Sequence, residues 1–218
     1  MKKMAPPAPP PPLDVSIVGS DSDRLQESLF KGDQAVLSNQ DIDRILTARI
    51  TLADRHRVAV LRLNSRNYYD PELADLETQN SERFLKALTA NSHFTQVRFM
   101  PTLLIPDKRT VPYLREAAAR FQADLLLVYA AGVRNFSRNR LVGDDEVHAE
   151  AAVESVLLDV RTGIVIHTAR TSERISAKKA PGDLNFSQTV AKAQTEAIGN
   201  ALLKLAASVD DFAKSAEK

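Results

Sequence analysis

The chain has 218 residues, 44% of them hydrophobic and 26% charged, with a net charge of +1. That length suits one large domain with a tail rather than two full domains, and so small a charge gives no global field to draw the protein to nucleic acid or an anionic membrane. Cysteine is absent, which removes disulfides, thiol nucleophiles and thiolate metal sites.

Residues 5–12 are almost all proline, which lacks an amide donor and fixes φ, so they read as an extended polyproline II spacer. Met1, Lys2 and Lys3 have the look of a secretory start, yet prolines follow instead of the apolar core such a signal needs. The chain as written is therefore either cytosolic or one whose export signal has been removed. Residues 13–37 are weakly patterned. Their acidic cluster at 21–23 follows its glycine and has no closing glutamate at calcium-loop spacing. We read 1–37 as a largely disordered tail and linker, and 38–218 as a single α/β domain.

Order is expected from Ser38, where Asp41 and Asp43 suit the first turn of a helix whose apolar stripe is Ile42, Ile45 and Leu46. Residues 57–63 form a strand apolar on both faces in its middle, as a covered central strand is. A long helix then runs to about Asn91, burying Leu73, Leu76, Phe84, Leu85 and Leu88, and residues 94–100 make a second strand. Thr110 is placed to cap a helix carrying Pro112 in its first turn and a stripe of Val111, Leu114, Ala117, Ala118 and Phe121. Residues 124–133 are a third strand. The apolar run at 125–131 is the kind of strand core expected here, far below the ~20 residues of a membrane helix. Strands joined by crossover helices are parallel, so 57–133 reads as βαβαβ.

The pattern then changes. Residues 146–160 and 164–176 are two long strands joined by Asp-Val-Arg-Thr-Gly at 159–163, a tight hairpin with Gly163 at positive φ. Glu150 and Glu154 point to one face while Ala149, Ala151 and Val153 point to the other, as in half-buried antiparallel strands. Asp183 or Asn185 caps a terminal helix of nearly thirty residues that should cover one sheet face. The fold class is α/β: a mixed sheet with a βαβαβ half, an antiparallel hairpin and a long C-terminal helix.

The sequence holds no pattern of a catalytic site. The four histidines lack helical ligand spacing. Counting outward from the turn sets His148 near His167, where Glu150 could complete a weak zinc site, against the plainer reading of solvated strand histidines. Asp144, Asp145 and Glu146 read as an exposed loop. Nucleophile elbows, Walker loops and dinucleotide fingerprints are missing, and seven glycines in the whole chain leave little for a phosphate cradle. We expect no enzyme activity, no cofactor and no metal. The most unusual feature is Arg134, Phe136, Arg138 and Arg140, alternating with small polar residues in the connection after the third strand. Arginine beside an aromatic anchors protein interfaces, and it also builds platforms for single-stranded nucleic acid.

The order of elements, with "FLKALTANSHFTQV", "LREAAARFQADLLLVYAAG" and "VLLDVRTGIVIHT" as its marks, resembles the α/β domain shared by the amino-terminal part of TolB, the curli secretion lipoprotein CsgG and the LpoB-type outer-membrane lipoproteins. The resemblance covers 57 to about 212 and rests on structural motifs. It implies a non-enzymatic, lipoprotein-like accessory of the cell envelope, periplasmic and in its precursor anchored to the outer membrane. Such a protein acts by binding another envelope protein, and touches membrane only through a lipid anchor. The LpoB-like members carry a proline-rich tether ahead of this domain, as here. The lipid-bearing cysteine is absent from this sequence, and the stretch at 133–147 is too polar to resemble the membrane hairpins of CsgG. The partner-binding residues expected on this reading are Arg134, Phe136, Arg138 and Arg140. The alternative is a nucleic-acid-binding module using the same arginine-rich stretch.

Overall fold

A computed structural model describes residue 29, residues 38–48, residue 52 and residues 55–63, 70–138 and 146–216, apart from the side chains of 135–138 and 146. The elements are α1 (Asn39–Thr47), β1 (His56–Arg62), α2 (Pro71–Thr89), β2 (Phe94–Phe99), α3 (Val111–Arg120), β3 (Leu125–Arg138), β4 (Glu146–Asp159), β5 (Val165–Lys178) and α4 (Phe186–Ser215). They build one mixed sheet in the order β2-β1-β3-β4-β5. β1 pairs in parallel with β2 and β3, and the β3–β4 and β4–β5 pairs are antiparallel. The βαβαβ half, the hairpin and the long terminal helix are as the sequence implies.

Strand alternation sorts the core onto two faces. Val58 and Val60 of β1 meet Phe84, Leu88, Leu202 and Leu205 from α2 and α4. Ala59 and Leu61 between them meet Leu114 and Ala118 from α3 on the other side. This is why β1 is apolar on both faces. Asp70 caps α2 by accepting from Glu72 N at 2.9 Å, and Asn185 caps α4 by accepting from Gln188 N at 3.0 Å. Asp183, the other cap candidate, has a different task. Thr110 occupies the cap position of α3 without a side-chain bond to the helix, so that helix starts on its extended cap and Pro112, with a carbonyl from outside the helix accepting from Val111 N.

Helices α2 and α4 touch closely through a polar contact set in apolar surroundings. Buried Asn80 donates from Nδ2 to the Thr195 carbonyl at 2.9 Å. A Cβ placed on Gly199 would sit 2.3 Å from Asn80 Oδ1. The missing side chain at Gly199 is what lets the two helices approach.

The hairpin turn is as expected, with Gly163 at φ +75. Asp159 Oδ1 accepts from Thr162 N and Thr162 Oγ1, both at 2.7 Å. Arg115 of α3 reaches the turn, donating to the carbonyls of Val160 at 3.0 Å and Arg161 at 2.5 Å.

Two expectations are corrected. The arginine-rich stretch is not a connection as far as Arg138: β3 runs five residues past Val133, and 134–138 pair with 146–150 of β4. Val147 and Ala149 pack on Ala193 and Val190 of α4 and hold this end of β4 in place, and its backbone supplies the ladder for 134–138. His148 and His167 are not neighbours. The register pairs His148 with Ser176 and His167 with Leu157, so they lie far apart along the hairpin, because one is eleven residues from the turn start and the other only four beyond its glycine. α1 starts after its Ser38 cap as the sequence implies, and its stripe stays outside the core, with Leu46 78% exposed.

One residue of the stretch read as linker is tied to the domain. Leu29 is buried in the α3-side core, and its carbonyl accepts from Val111 N at 2.7 Å.

Candidate docking face

β3, β4 and β5 are each 14 residues long, whereas β1 has seven. Past the level where Leu63 N donates to the Tyr129 carbonyl, the three long strands continue without β1 or β2 beside them. On one face α4 follows them. At 30 residues it spans about 45 Å, and its first turns pack Phe186, Val190 and Ala193 on Val147 and Ala149. On the other face α3 covers Leu126, Val128 and Leu158. Beyond these no described element lies on the strands.

The open face carries the even-numbered residues, because directly opposed residues of an antiparallel pair share a face. Its rows run straight across the three strands. Ala130, Glu154 and Arg170 form one, Gly132, Ala152 and Ser172 the next, and Arg134, Glu150 and Arg174 the third. The middle row is flat because its residues are small. The charged rows are knit by Arg174–Glu150 at 3.0 Å and Arg170–Glu154 at 3.4 Å, with the two arginine side chains 72% and 73% exposed. Pairs this exposed contribute only ~0–1 kcal/mol each to stability, so they shape the surface more than they hold the fold.

Of the expected binding residues, Arg134 is exposed on this face opposite Glu150. Phe136 and Arg138 occupy register positions opposite His148 and Glu146. Arg140 lies outside the described residues, as do Asp144 and Asp145. Sequence reasoning missed Arg170, Arg174 and Lys178. The signal was present: every even position from 168 to 178 is polar, the mark of a strand with one wet face.

Two other clusters have structural roles. Asp183 has a buried carboxylate, 2% exposed, that accepts from Lys192 Nζ at 2.7 Å and Thr189 Oγ1 at 2.6 Å. Lys192, then Thr189, holds its pKa down at about 2. Lys192 also pairs with Glu72 at 2.7 Å, so this cluster fastens the start of α4 to α2.

The second cluster lies in a shallow cleft where α4 meets β5, lined by His167, Lys204, Ser208, Asp211 and Phe212. The His167 ring stacks on Phe212 at 4.7 Å and its Nε2 lies 3.1 Å from Ser208 Oγ. A serine beside a neutral histidine suggests a nucleophile and base. Ser208, however, lies mid-helix, where backbone amides are spent on the helix ladder and cannot form an oxyanion hole. Lys204 is engaged as well, with Glu173 at 2.6 Å and the Ser172 carbonyl at 3.1 Å. Among the described residues no three His, Asp or Glu side chains are grouped to hold a metal.

Burial pushes the His167 pKa below 6.5. The folded protein therefore holds the ring neutral, while the unfolded chain takes up a proton below 6.5. This contribution to stability is complete above pH 6.5 and is lost as pH falls from there through the folded value. Thermal melts between pH 7.5 and 5 should show a steeper acid loss of Tm in the native chain than in His167→Gln. Parallel curves would mean that the ring takes up its proton as readily in the fold as in the unfolded chain.

No known protein-family model matches this sequence, and no curated protein sequence matches it significantly. Solved structures do. A minor lipoprotein from Acinetobacter baumannii is 14% identical over 72% of this chain and 93% of its own, with a TM-score of 0.40. The PelC dodecamer from Paraburkholderia phytofirmans, as its L103M form, is 19% identical over 73% of this chain and 95% of its own, at 0.34. The LpoB C-terminal domain from Salmonella enterica is 14% identical over 60% of this chain and 90% of its own, at 0.32. Lipoproteins, LpoB among them, stand among the solved structures to which this chain is similar.

Proposed function

We propose that this protein is a non-enzymatic accessory of the cell envelope that binds another protein through the open face of β3, β4 and β5. The observation that carries the reading is the length of these strands. They run on beyond α3 with one side packed by α4 and the other left as a rigid, charged, nearly flat surface. Arginine fits this role because its planar fork hydrogen-bonds carboxylates and carbonyls while its stem gives apolar contact. The Gly132–Ala152–Ser172 row gives a partner close access to the sheet. The envelope setting rests on the resemblance of the element order and proline-rich tail, not on this face.

The interleaved glutamates favour a protein over nucleic acid. A phosphate approaching Arg170 or Arg174 would meet the carboxylates of Glu154 and Glu150 already paired there, and a polyanion gains most from a surface of one sign. The test is the triple variant Arg134→Glu, Arg170→Glu, Arg174→Glu in the full chain. Its melting temperature should stay close to that of the native protein, since exposed pairs of this kind are worth little. Its affinity for a partner cross-linked to the native protein in envelope extract should fall by about 30-fold or more if one arginine is an anchor. Unchanged capture would sink the reading. Tight, steeply salt-dependent binding of a single-stranded oligonucleotide by the native chain would instead favour the nucleic-acid alternative.

A further inference from the structure

The connection from β2 to α3 carries an apolar tip that the described domain leaves uncovered. Thr102–Leu104 form a single tight helical turn with Pro101 ahead of it, and Pro106 follows soon after. Leu103 is 98% exposed, and Leu104 is exposed beside it. Ile105, the next residue, packs on the α3-side core. A Leu-Leu-Ile run can bury all its bulk together; here the isoleucine anchors the turn and the two leucines are held out in solvent. A single exposed leucine is common and calls for no partner. Two further observations set this tip apart.

The first is its backbone. Pro101 and Pro106 have no amide to satisfy. Met100 N donates to the Val60 carbonyl at 2.9 Å, Leu104 N to the Pro101 carbonyl at 2.9 Å and Ile105 N to the Thr102 carbonyl at 3.1 Å. Protein grooves that take an extended segment bond to its main chain, and this tip has spent most of its donors within the domain. A lipid surface makes the opposite demand, because hydrocarbon offers a bare amide no partner. The second is the company at the α3 end of the same short connection. Tyr113, in the first turn of α3, is exposed, and Lys108 Nζ lies over its ring at 5.6 Å. Leucine for the acyl boundary, tyrosine for the interface and lysine for the headgroups are the side chains a peripheral lipid contact combines. Arg109, held by the Leu63 carbonyl, adds a second cation and Asp107 offsets one of the two, so the leucines carry more of the contact than the charges do.

We infer that Leu103, Leu104, Tyr113 and Lys108 form a contact that enters the headgroup layer of a lipid bilayer. Among the described residues no helix is long and apolar enough to cross a membrane, so the contact is peripheral. It departs from the expectation that membrane is touched only through a lipid anchor. The tip follows β2, the edge strand opposite to β5, and shares no residue with the open face, so either reading can fail without the other. The full chain is mixed with phosphatidylcholine vesicles, with and without phosphatidylglycerol, and bound protein is separated by flotation at millimolar lipid. Because the chain has no cysteine, Thr102→Cys carrying an environment-sensitive fluorophore reports insertion beside the leucines. Thr78→Cys, exposed on α2, is the control. The protein should float with both kinds of vesicle, and the label at 102 should shift to the blue while the label at 78 does not. Leu103→Ser with Leu104→Ser should weaken binding by about tenfold or more, the scale of returning one leucine side chain to water. Lys108→Gln should weaken binding to the anionic vesicles by about fivefold and to the neutral ones little. Absence of flotation would overturn the inference, and so would flotation that the double serine variant retains. A blue shift at 102 that needs no vesicles and grows with protein concentration would also overturn it, making a second copy the occupant. The labelled chain keeps the native leucines, so the test stands even if the serine variant folds poorly.

Discussion

Gly199→Leu should cost the domain more stability than any substitution at the Gly163 turn, enough to disrupt the packing of α4 on α2. The cause is contact distance. Even the Cβ of alanine would lie 2.3 Å from Asn80 Oδ1 and 2.4 Å from its Cγ, well inside van der Waals contact. Asn80 is 5% exposed and already donates to the Thr195 carbonyl, so it has nowhere to go without breaking that bond. Overpacking costs about 1–3 kcal/mol and the lost buried hydrogen bond about 1–3 more. Against this, alanine gains about 1 kcal/mol of helix propensity over glycine. Gly199→Ala should therefore cost about 1–5 kcal/mol net, and the leucine variant clearly more. A double-mutant cycle with Asn80→Ala, read by urea denaturation, checks the mechanism: Gly199→Ala should be much less harmful once Asn80 is gone. If the two costs simply add, the contact is not their origin.

Gly163→Val should destabilise the domain by about 1–3 kcal/mol, since a β-branched residue is strained at positive φ. The structure adds a second cause. A Cβ on Gly163 would meet Arg115 Nη1 at 2.9 Å and Cδ at 3.0 Å, the same arginine that ties α3 to the turn carbonyls. Gly163→Asn relieves the backbone strain but keeps this contact, so it should fall between glycine and valine. Chemical denaturation of the three proteins gives the ranking. A valine variant as stable as the native chain would mean that the turn can take another conformation.

The parallel half was legible because burial writes itself into spacing. Residues 58–61 are apolar on both sides because α2, α4 and α3 cover both sides. Gly163 was legible because the turn admits little else. The last residues of β3 were not, since Arg134, Phe136 and Arg138 alternate with Asn135 and Ser137 without the apolar face that marks a half-buried strand. Their strand state comes from β4, and pairing across the sheet is not written in the neighbours of a residue. The docking face suffered the same way. Arg134 was visible as an oddity of composition, but Arg170 and Arg174 join it only through a three-strand register. The Asn80–Gly199 contact joins residues far apart in sequence, and neither helix alone advertises it.

The outer edge of β5 bears on solubility. It is the last strand of the sheet, 14 residues long, and a bare strand edge of that length invites other chains to add to it and grow aggregates. Lys204 works against this from α4. Its ammonium donates to the Ser172 carbonyl near the middle of the strand, occupying an acceptor that an incoming strand would need and placing a charge at that spot. With Arg170, Arg174 and Lys178 spaced along the same strand, an approaching β5 edge from another molecule meets like charge. These features disfavour pairing of the β5 edge with a second copy of itself.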